Sequence, residues 1–204
     1  MGAPTIGALL RARRKLDICA PPAYDVFQVS LGWCAAARSE KGICRFVLPV
    51  ETADAAEAEI LESVAVLRGL RVLRGKNCMH ALARAVARYF DGRAADFGGF
   101  PVDLSSGTPF QQKVWSAIRR IPRGQVRTYK WIGAEIGRPD ACRAIGRAVG
   151  ANPVPLLVPC HRVVGSDGSL VGFSAAGGLE LKARMLEIER VRFHGEGKCR
   201  RVTA

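Results

Sequence analysis

Cys160 and His161 stand side by side in Pro159-Cys160-His161-Arg162, and together they are of the types that make a nucleophile. A cysteine attacks carbon well only as its thiolate, and a neighbouring imidazole takes the proton and steadies the anion. The lead-in Pro155-Leu156-Leu157-Val158 and the exit Val163-Val164 are apolar, which predicts a short strand holding the sulfur in a dry, rigid setting. Free cysteine is also among the most buried structural residues, so the pair alone does not establish chemistry. Direct adjacency disfavours a Cys-His hydrolase, whose histidine lies far along the chain. A third group is Glu189, on or near the stripe of Leu179, Ala183 and Leu186. A carboxylate on an apolar face needs a partner, and a histidine beside a thiol is one, because the carboxylate fixes its tautomer. Helical drift that leaves Glu189 exposed fits the same periodicity equally well.

The elements that position these groups follow from pattern. Tyr24–Val29 alternates apolar and polar residues, Leu31–Ala37 follows, and Ile43–Leu48 returns after a turn at Ser39-Glu40-Lys41-Gly42. This predicts a small antiparallel sheet. Helices are expected over 53–67 and 78–90, the second stopped at Asp91-Gly92. The Gly-, Asp- and Ser-rich stretch 91–107 reads as a linker. Thr108, Pro109 and Gln111 are a capping signal for a helix over 109–120, with Phe110, Val114, Ala117, Ile118 and Ile121 on one face. Thr128 is expected to cap a short helix, 129–136, and Asp140 a further one, 141–149.

The last two helices, joined by Gly137-Arg138-Pro139-Asp140, form a helix-turn-helix candidate. Ala144, Ile145, Ala148 and Val149 are expected to face the core, with Arg143 and Arg147 opposite them. Gly146 and Gly150 beside those arginines would allow close approach to a nucleic-acid backbone; tight packing within the protein explains small residues equally well. A last helix is expected over 179–190.

The bulk numbers agree with a nucleic-acid partner. The 204 residues carry 31 Lys and Arg against 18 Asp and Glu, a net charge of +13. That excess calls for a polyanion, nucleic acid first and an acidic membrane surface second. Within 119–147, Arg119, Arg120, Arg123, Arg127, Lys130, Arg138, Arg143 and Arg147 face only Glu135 and Asp140. The seven cysteines are irregularly spaced with no Cys-x-x-Cys, which argues against a disulfide framework. No metal site is expected: Cys78 and His80 are close, but the spacing fits no usual zinc pattern. No apolar run reaches membrane-spanning length. Leu9-Leu10 followed by Arg11, Arg13, Arg14 and Lys15 does not read as a secretory signal, so a cytoplasmic location is expected, or a nuclear one in a eukaryote.

Pro159-Cys160-His161-Arg162-Val163 after Asn152-Pro153-Val154-Pro155 closely resembles the 6-O-alkylguanine-DNA alkyltransferases. The similarity extends over 107–189, through Gly107-Thr108-Pro109-Phe110-Gln111, Thr128-Tyr129, Arg143-Ala144-Ile145-Gly146, Gly165-Ser166-Asp167-Gly168 and Gly177-Gly178-Leu179 with Lys182 and Glu189. The amino-terminal half fits the family's variable first domain only loosely. The resemblance implies an α+β protein. Its amino-terminal domain, 21–95, would be a ribonuclease-H-like sheet with helices, after a basic start, 1–20. A linker, 96–106, would lead to a mostly helical, winged-helix-like domain with a helix-turn-helix, 107–190, and a basic, disordered tail, 191–204.

It also implies direct reversal of 6-O-methylguanine, and of 4-O-methylthymine, by irreversible transfer of the alkyl group to Cys160, one repair per molecule and without a cofactor. His161 and Glu189 would relay the thiol proton through an ordered water, and Asn152 would brace the turn. The partner would be double-stranded DNA bound in the minor groove by a monomer, with no membrane involved. Tyr129 would crowd the backbone phosphate and Arg143 would fill the stack once the base rotates out, with Thr128, Gly146 and Arg147 along the same face. Pro155, Val163, Phe173, Ser174 and Ala175 would line the base pocket. Phe173 stands where many relatives have tyrosine, and Ser174-Ala175-Ala176-Gly177-Gly178 is a small-residue loop. Cys142 beside Arg143 is unusual; a packed small residue is the expected role.

Overall fold

A run of small and β-branched side chains between two turns builds the first sheet. Strands β1 (Ala23–Val29), β2 (Gly32–Ser39) and β3 (Gly42–Val50) pair antiparallel, Phe27 opposite Cys34 and Ala36 opposite Phe46. The structure, a computed structural model, describes residues 22–65, 72–75, 78–194 and 201–202. Helix α1 (Ala53–Ala65) lays Ala56, Ile60 and Val64, each four apart, on Tyr24, Ala35, Ala37, Cys44 and Val47. That spacing is one face of a helix. A two-residue strand, β4 (Leu73–Arg74), adds parallel to β1, giving the order β3-β2-β1-β4. Helix α2 (His80–Phe90) buries Leu82, Val86, Tyr89 and Phe90. Residues 66–67 of the helix expected over 53–67, and the basic start expected over 1–20, lie outside the described residues.

The stretch expected as a linker is in large part built structure. Phe97 meets Tyr89 edge-on at 5.9 Å, Phe100 is buried, and Val102 bridges Ile43. Ile43 donates to the Pro101 carbonyl and accepts from the Asp103 amide. Aromatic side chains outweigh the local glycines here, and the chain divides after Asp103 into two units.

The second unit begins with the expected cap. Thr108 accepts from the Gln111 amide, Gln111 reaches back to the Thr108 amide, and Pro109 opens helix α3 (Pro109–Arg119). Gly107 is required by close approach: a Cβ there would lie 2.2 Å from the Trp115 ring. Strand β5 (Arg127–Thr128) leads into helix α4 (Tyr129–Glu135), and helix α5 (Cys142–Gly150) follows. Trp115 Nε1 donates to the Ala148 carbonyl at 2.7 Å and locks α5 to α3. Val114, Ile118, Ile132, Ile145, Ala148 and Val149 form one core with Val158, Cys160 and Val163.

Three local expectations are corrected. Asp140 does not cap α5: the helix starts one residue later, Ala141 holds the cap position, and no side-chain cap bond forms. Ala144 is exposed, because consecutive helix residues point about 100° apart and it falls off the edge of the stripe of Ile145, Ala148 and Val149, and Gly150 lies within the helix. The basic tail is partly ordered, since β7 (Phe193–His194) pairs antiparallel with β8 (Arg201–Val202) and the Val202 amide bonds the Gly168 carbonyl. Between α5 and β7 stand β6 (Val163–Val164), parallel to β5, and helix α6 (Gly178–Ile188). Among the described residues, no helix is long and apolar enough to cross a membrane.

Candidate active site

The approach to Cys160 is a tight turn and not the expected strand. Leu156 takes φ +72°, Val158 N donates to the Val154 carbonyl, and Pro155 and Val158 form an isolated bridge. Asn152 holds the turn from both ends of its amide: Nδ2 donates to the Val158 carbonyl at 2.8 Å, and Oδ1 accepts from the Val154 amide at 3.1 Å. The chain then enters a 3-10 turn, Cys160–Arg162, and passes directly into β6. β6 pairs parallel with β5, Thr128 opposite Val164; Tyr129, which follows β5 at the start of α4, lies within electrostatic reach of Cys160.

Behind the cysteine lies a sealed ionic cluster. His161 is fully buried, and its Nε2 lies 2.9 Å from Glu189 Oε1. An ionised carboxylate only accepts, so the ring hydrogen sits on Nε2 and Nδ1 is the basic nitrogen. Arg162 grips the same carboxylate with Nε on Oε2 at 2.9 Å and Nη2 on Oε1 at 2.8 Å, and its Nη1 donates to the Ile121 carbonyl at 2.6 Å. The Gly124 amide supplies a further donor to Oε2 at 3.2 Å. Burial on its own would raise the Glu189 pKa; hydrogen bonds and charge from His161 and Arg162 outweigh it and hold the carboxyl well below its usual range. Of the two placements that periodicity allowed for Glu189, the buried one is found, at the carboxy-terminal cap of α6.

Burial also lowers the His161 pKa, opposed by Glu189, so the ring is neutral at pH 7. Cys160 retains 7% of its surface while His161 retains none, so of this pair only the cysteine meets the outside. Burial pushes the Cys160 thiol up; the Asn152 side chain, the Lys182 charge and the amides of Cys160 and His161 pull the other way. The resting pair is therefore thiol and neutral imidazole, with donors and a cation already placed for the thiolate.

Lys182 and Arg162 carry more of this site than the sequence suggested. Lys182 is fully buried on α6, donating to the carbonyls of Val163 at 2.6 Å and Val171 at 2.7 Å. Burial lowers its pKa to about 8, against the attraction of Cys160. Tyr129 is half-buried, its pKa raised by burial and by the Cys160 charge, and its hydroxyl would lie 3.3 Å from a Cβ added at Gly172. Phe173 packs against the core that holds Cys160, Ser174 donates to the Gly150 carbonyl at 3.1 Å, and Ala175 and Pro155 are half-buried. Val163 is wholly inside the core, and its carbonyl is the part that meets Lys182. Thr128 spends its oxygen as the α4 cap, accepting from the Trp131 amide. Arg143 and Arg147 project from the exposed face of α5, with open space over Gly146 and Gly150. Cys142 is exposed rather than packed. Among the described residues no group of His, Cys, Asp and Glu is arranged to hold a metal ion.

Residues 109–191 match the family model of the 6-O-methylguanine DNA methyltransferase DNA-binding domain. The methylated-DNA–protein-cysteine methyltransferase of Methanosarcina barkeri is 42% identical over 120 residues, 57% of this chain and 72% of that protein. The chain belongs to this family. The Haemophilus influenzae methylated-DNA–protein-cysteine methyltransferase is 42% identical over 113 residues, 55% of this chain and 62% of the relative, so the chain spans about three fifths of that relative's length. Mycobacterium tuberculosis OGT, solved in complex with DNA, superposes with a TM-score of 0.67 at 30% identity, over 82% of this chain and 92% of that one. The shared fold thus reaches well beyond the second unit. Within the family frame, the Cys160–His161–Glu189 series occupies the segment that the family model covers.

Proposed function

We propose that the protein repairs 6-O-alkylated guanine in double-stranded DNA by moving the alkyl group onto its own Cys160. The observation that carries this reading is the buried Glu189–His161 pair at 2.9 Å, set directly behind a cysteine whose turn is clamped by Asn152. His161 takes the thiol hydrogen through an ordered water. The sulfur forms a bond to the alkyl carbon as the carbon–oxygen bond breaks, and that electron pair returns to the guanine. Overall, the thiol hydrogen is exchanged for the alkyl group, which remains as a thioether, and guanine leaves with the hydrogen on its ring nitrogen. No cofactor enters this balance, and no path regenerates the thiol, so each molecule acts once. The same chemistry suits 4-O-methylthymine.

A stacked base hides its oxygen from a buried sulfur, so the nucleotide must be turned out, which costs a few kcal/mol, less at a damaged pair. Tyr129, beside Cys160 and at the amino terminus of α4, is placed to crowd the phosphate. Arg143 on exposed α5 fills the vacated stack, with Arg147 and the open surface over Gly146 against the backbone, in the minor groove. The pocket is assigned to Pro155, Phe173, Ser174 and Ala175, floored by Val163. A monomer in the cytoplasm suffices for this chemistry.

Lys182 stabilises the thiolate as it forms, since its ammonium is buried and coupled to Cys160. The sheet with flanking helices supports a ribonuclease-H-like first domain. The α3–α4–α5 arrangement with the β5–β6 pair supports a winged-helix-like second one. The test is incubation with a duplex containing 6-O-methylguanine, followed by peptide mass mapping. One methyl group on the Cys160 peptide, stoichiometric with repaired guanine, is expected. Complete repair with an unmodified Cys160, or equal repair by Cys160→Ser, would overturn the assignment.

A further inference from the structure

We infer that a second anion-binding groove, centred on Arg127, Arg190 and Arg192, holds a DNA strand's phosphate backbone apart from the α5 surface. The groove has a volume of about 610 Å³ and runs between Gly124–Arg127 and Arg190–Arg192, closed by Val202. Among the described residues, none of its lining side chains is acidic, and Gln125 is its one uncharged polar side chain. Arg190 and Arg192 are exposed. Arg127 is half-buried, with its guanidinium carbon 5.5 Å from the centre of the Trp131 ring, and it donates Nη1 to the Val126 carbonyl and Nη2 to Gln125 Oε1, which fixes it at the groove wall. A guanidinium fixed in this way carries a full charge at the wall and keeps its remaining N–H groups for phosphate oxygens.

Arg190 supplies an independent observation. It ends α6 in a left-handed conformation, φ +64°. Its amide bonds the Glu187 carbonyl and the Val191 amide bonds the Leu186 carbonyl. This is the paired cap in which the left-handed position is normally glycine. An arginine there is strained, and glycine would serve the cap better. The cap gains nothing from this side chain, which lines the groove.

Continuity favours nucleic acid as the occupant. Arg127 lies two residues before Tyr129, the residue assigned to the flipped nucleotide's phosphate, so the groove begins close to that surface along the chain. Its reading as a strand path rests on the DNA-repair assignment above.

The test measures binding to undamaged duplex as a function of salt for the parent, for Arg190→Gly with Arg192→Gln, and for Arg184→Gln, an exposed arginine on α6. Each phosphate contact contributes roughly 0.9 to the slope of log affinity against log salt. The double variant is expected to lower the slope magnitude by roughly 1.8, with a thermal midpoint no lower than the parent's because Arg190→Gly relieves strain. Arg184→Gln is expected to keep the parent slope. An unchanged slope in the double variant, or an equal drop in Arg184→Gln, overturns the groove. So does loss of binding to phosphatidylglycerol vesicles with the DNA slope intact, which assigns the arginines to a membrane surface. Methyl transfer by the parent is scored separately: its failure removes the repair assignment, whereas an altered slope still identifies an anion groove.

Discussion

Arg162 holds both oxygens of Glu189, Nε to Oε2 at 2.9 Å and Nη2 to Oε1 at 2.8 Å, while His161 shares Oε1. Three consecutive residues of one 3-10 turn thus provide the sulfur, the base and the clamp on the carboxylate that orients the base. A fork of this kind fixes orientation as well as charge. Arginine is needed for that geometry, because lysine is a point charge.

Arg162→Lys keeps the charge and loses the fork and the bond to the Ile121 carbonyl. Each lost bond to a charged group is worth about 1.5–3 kcal/mol, so the thermal midpoint should fall by several degrees. The transfer rate should fall with it, because the His161 ring loses its fixed partner. Single-turnover kinetics and a melting curve check this; parent-like values in both would remove the positioning role.

Acid should weaken both fold and activity, and the sign is the same for both buried groups. Glu189 titrates below its ordinary 4.5 in the folded state, and His161 below its ordinary 6.5. In each case the unfolded chain binds more protons as pH falls, so stability present above those ordinary values is lost on acidification. The transfer rate should likewise hold through pH 7 and fall only at a pH below the ordinary histidine range, because burial delays protonation of His161. Glu189→Gln should lower stability at pH 7, since it leaves Arg162 buried without its counter-charge, an effect of about 3–5 kcal/mol. It should also flatten the acid limb below pH 4.5. Denaturant titrations at stepped pH measure both, and an acid limb as steep in Glu189→Gln as in the parent would contradict the assignment.

Lys182→Met should separate nucleophile activation from DNA binding. The lysine side chain is buried between two carbonyls and lies within electrostatic reach of Cys160. Removing the cation leaves the thiolate less favoured, so alkylation of the Cys160 peptide by iodoacetamide should require higher pH. Duplex affinity should stay near the parent's. The folded Lys182 pKa, about 8 against an ordinary 10.5, has a further consequence. Between those values the unfolded chain binds more protons, so this residue makes stability rise with pH across that window, a rise that Lys182→Met should abolish.

Local chemistry was legible in the sequence wherever a residue reports on its near neighbours. The Thr108–Gln111 cap, the Thr128 cap and the pairing of Cys160 with His161 depend on contacts a few positions apart. The buried state of Glu189 was not legible, because its donors Arg162 and Gly124 lie 27 and 65 residues away. The parts that Arg162 and Lys182 play were not legible either, since burying a charge requires distant partners that periodicity does not show. The turn before Cys160 was mistaken for a strand because Leu156 adopts φ +72° without a glycine to announce it. Asp140 failed as a cap because good capping chemistry one residue too early yields to core packing of Ile145 and Ala148.

Arg143→Ala should damage repair at the base-extrusion step and leave the sulfur's reactivity largely intact. Arg143 is exposed on α5, while Cys160 sits in the core beneath, next to Tyr129. An arginine in the vacated stack replaces part of the lost stacking, and extrusion costs a few kcal/mol. Each 1.4 kcal/mol is about tenfold in an equilibrium, so Arg143→Ala should slow transfer from duplex at least about tenfold. Transfer from a free 6-O-alkylguanine base, which needs no extrusion, should change far less. Glu189→Gln should slow both substrates together, because it acts on the nucleophile. Parallel single-turnover measurements on the two substrates resolve these cases, and an equal loss on both for Arg143→Ala would assign that arginine to something other than the vacated stack.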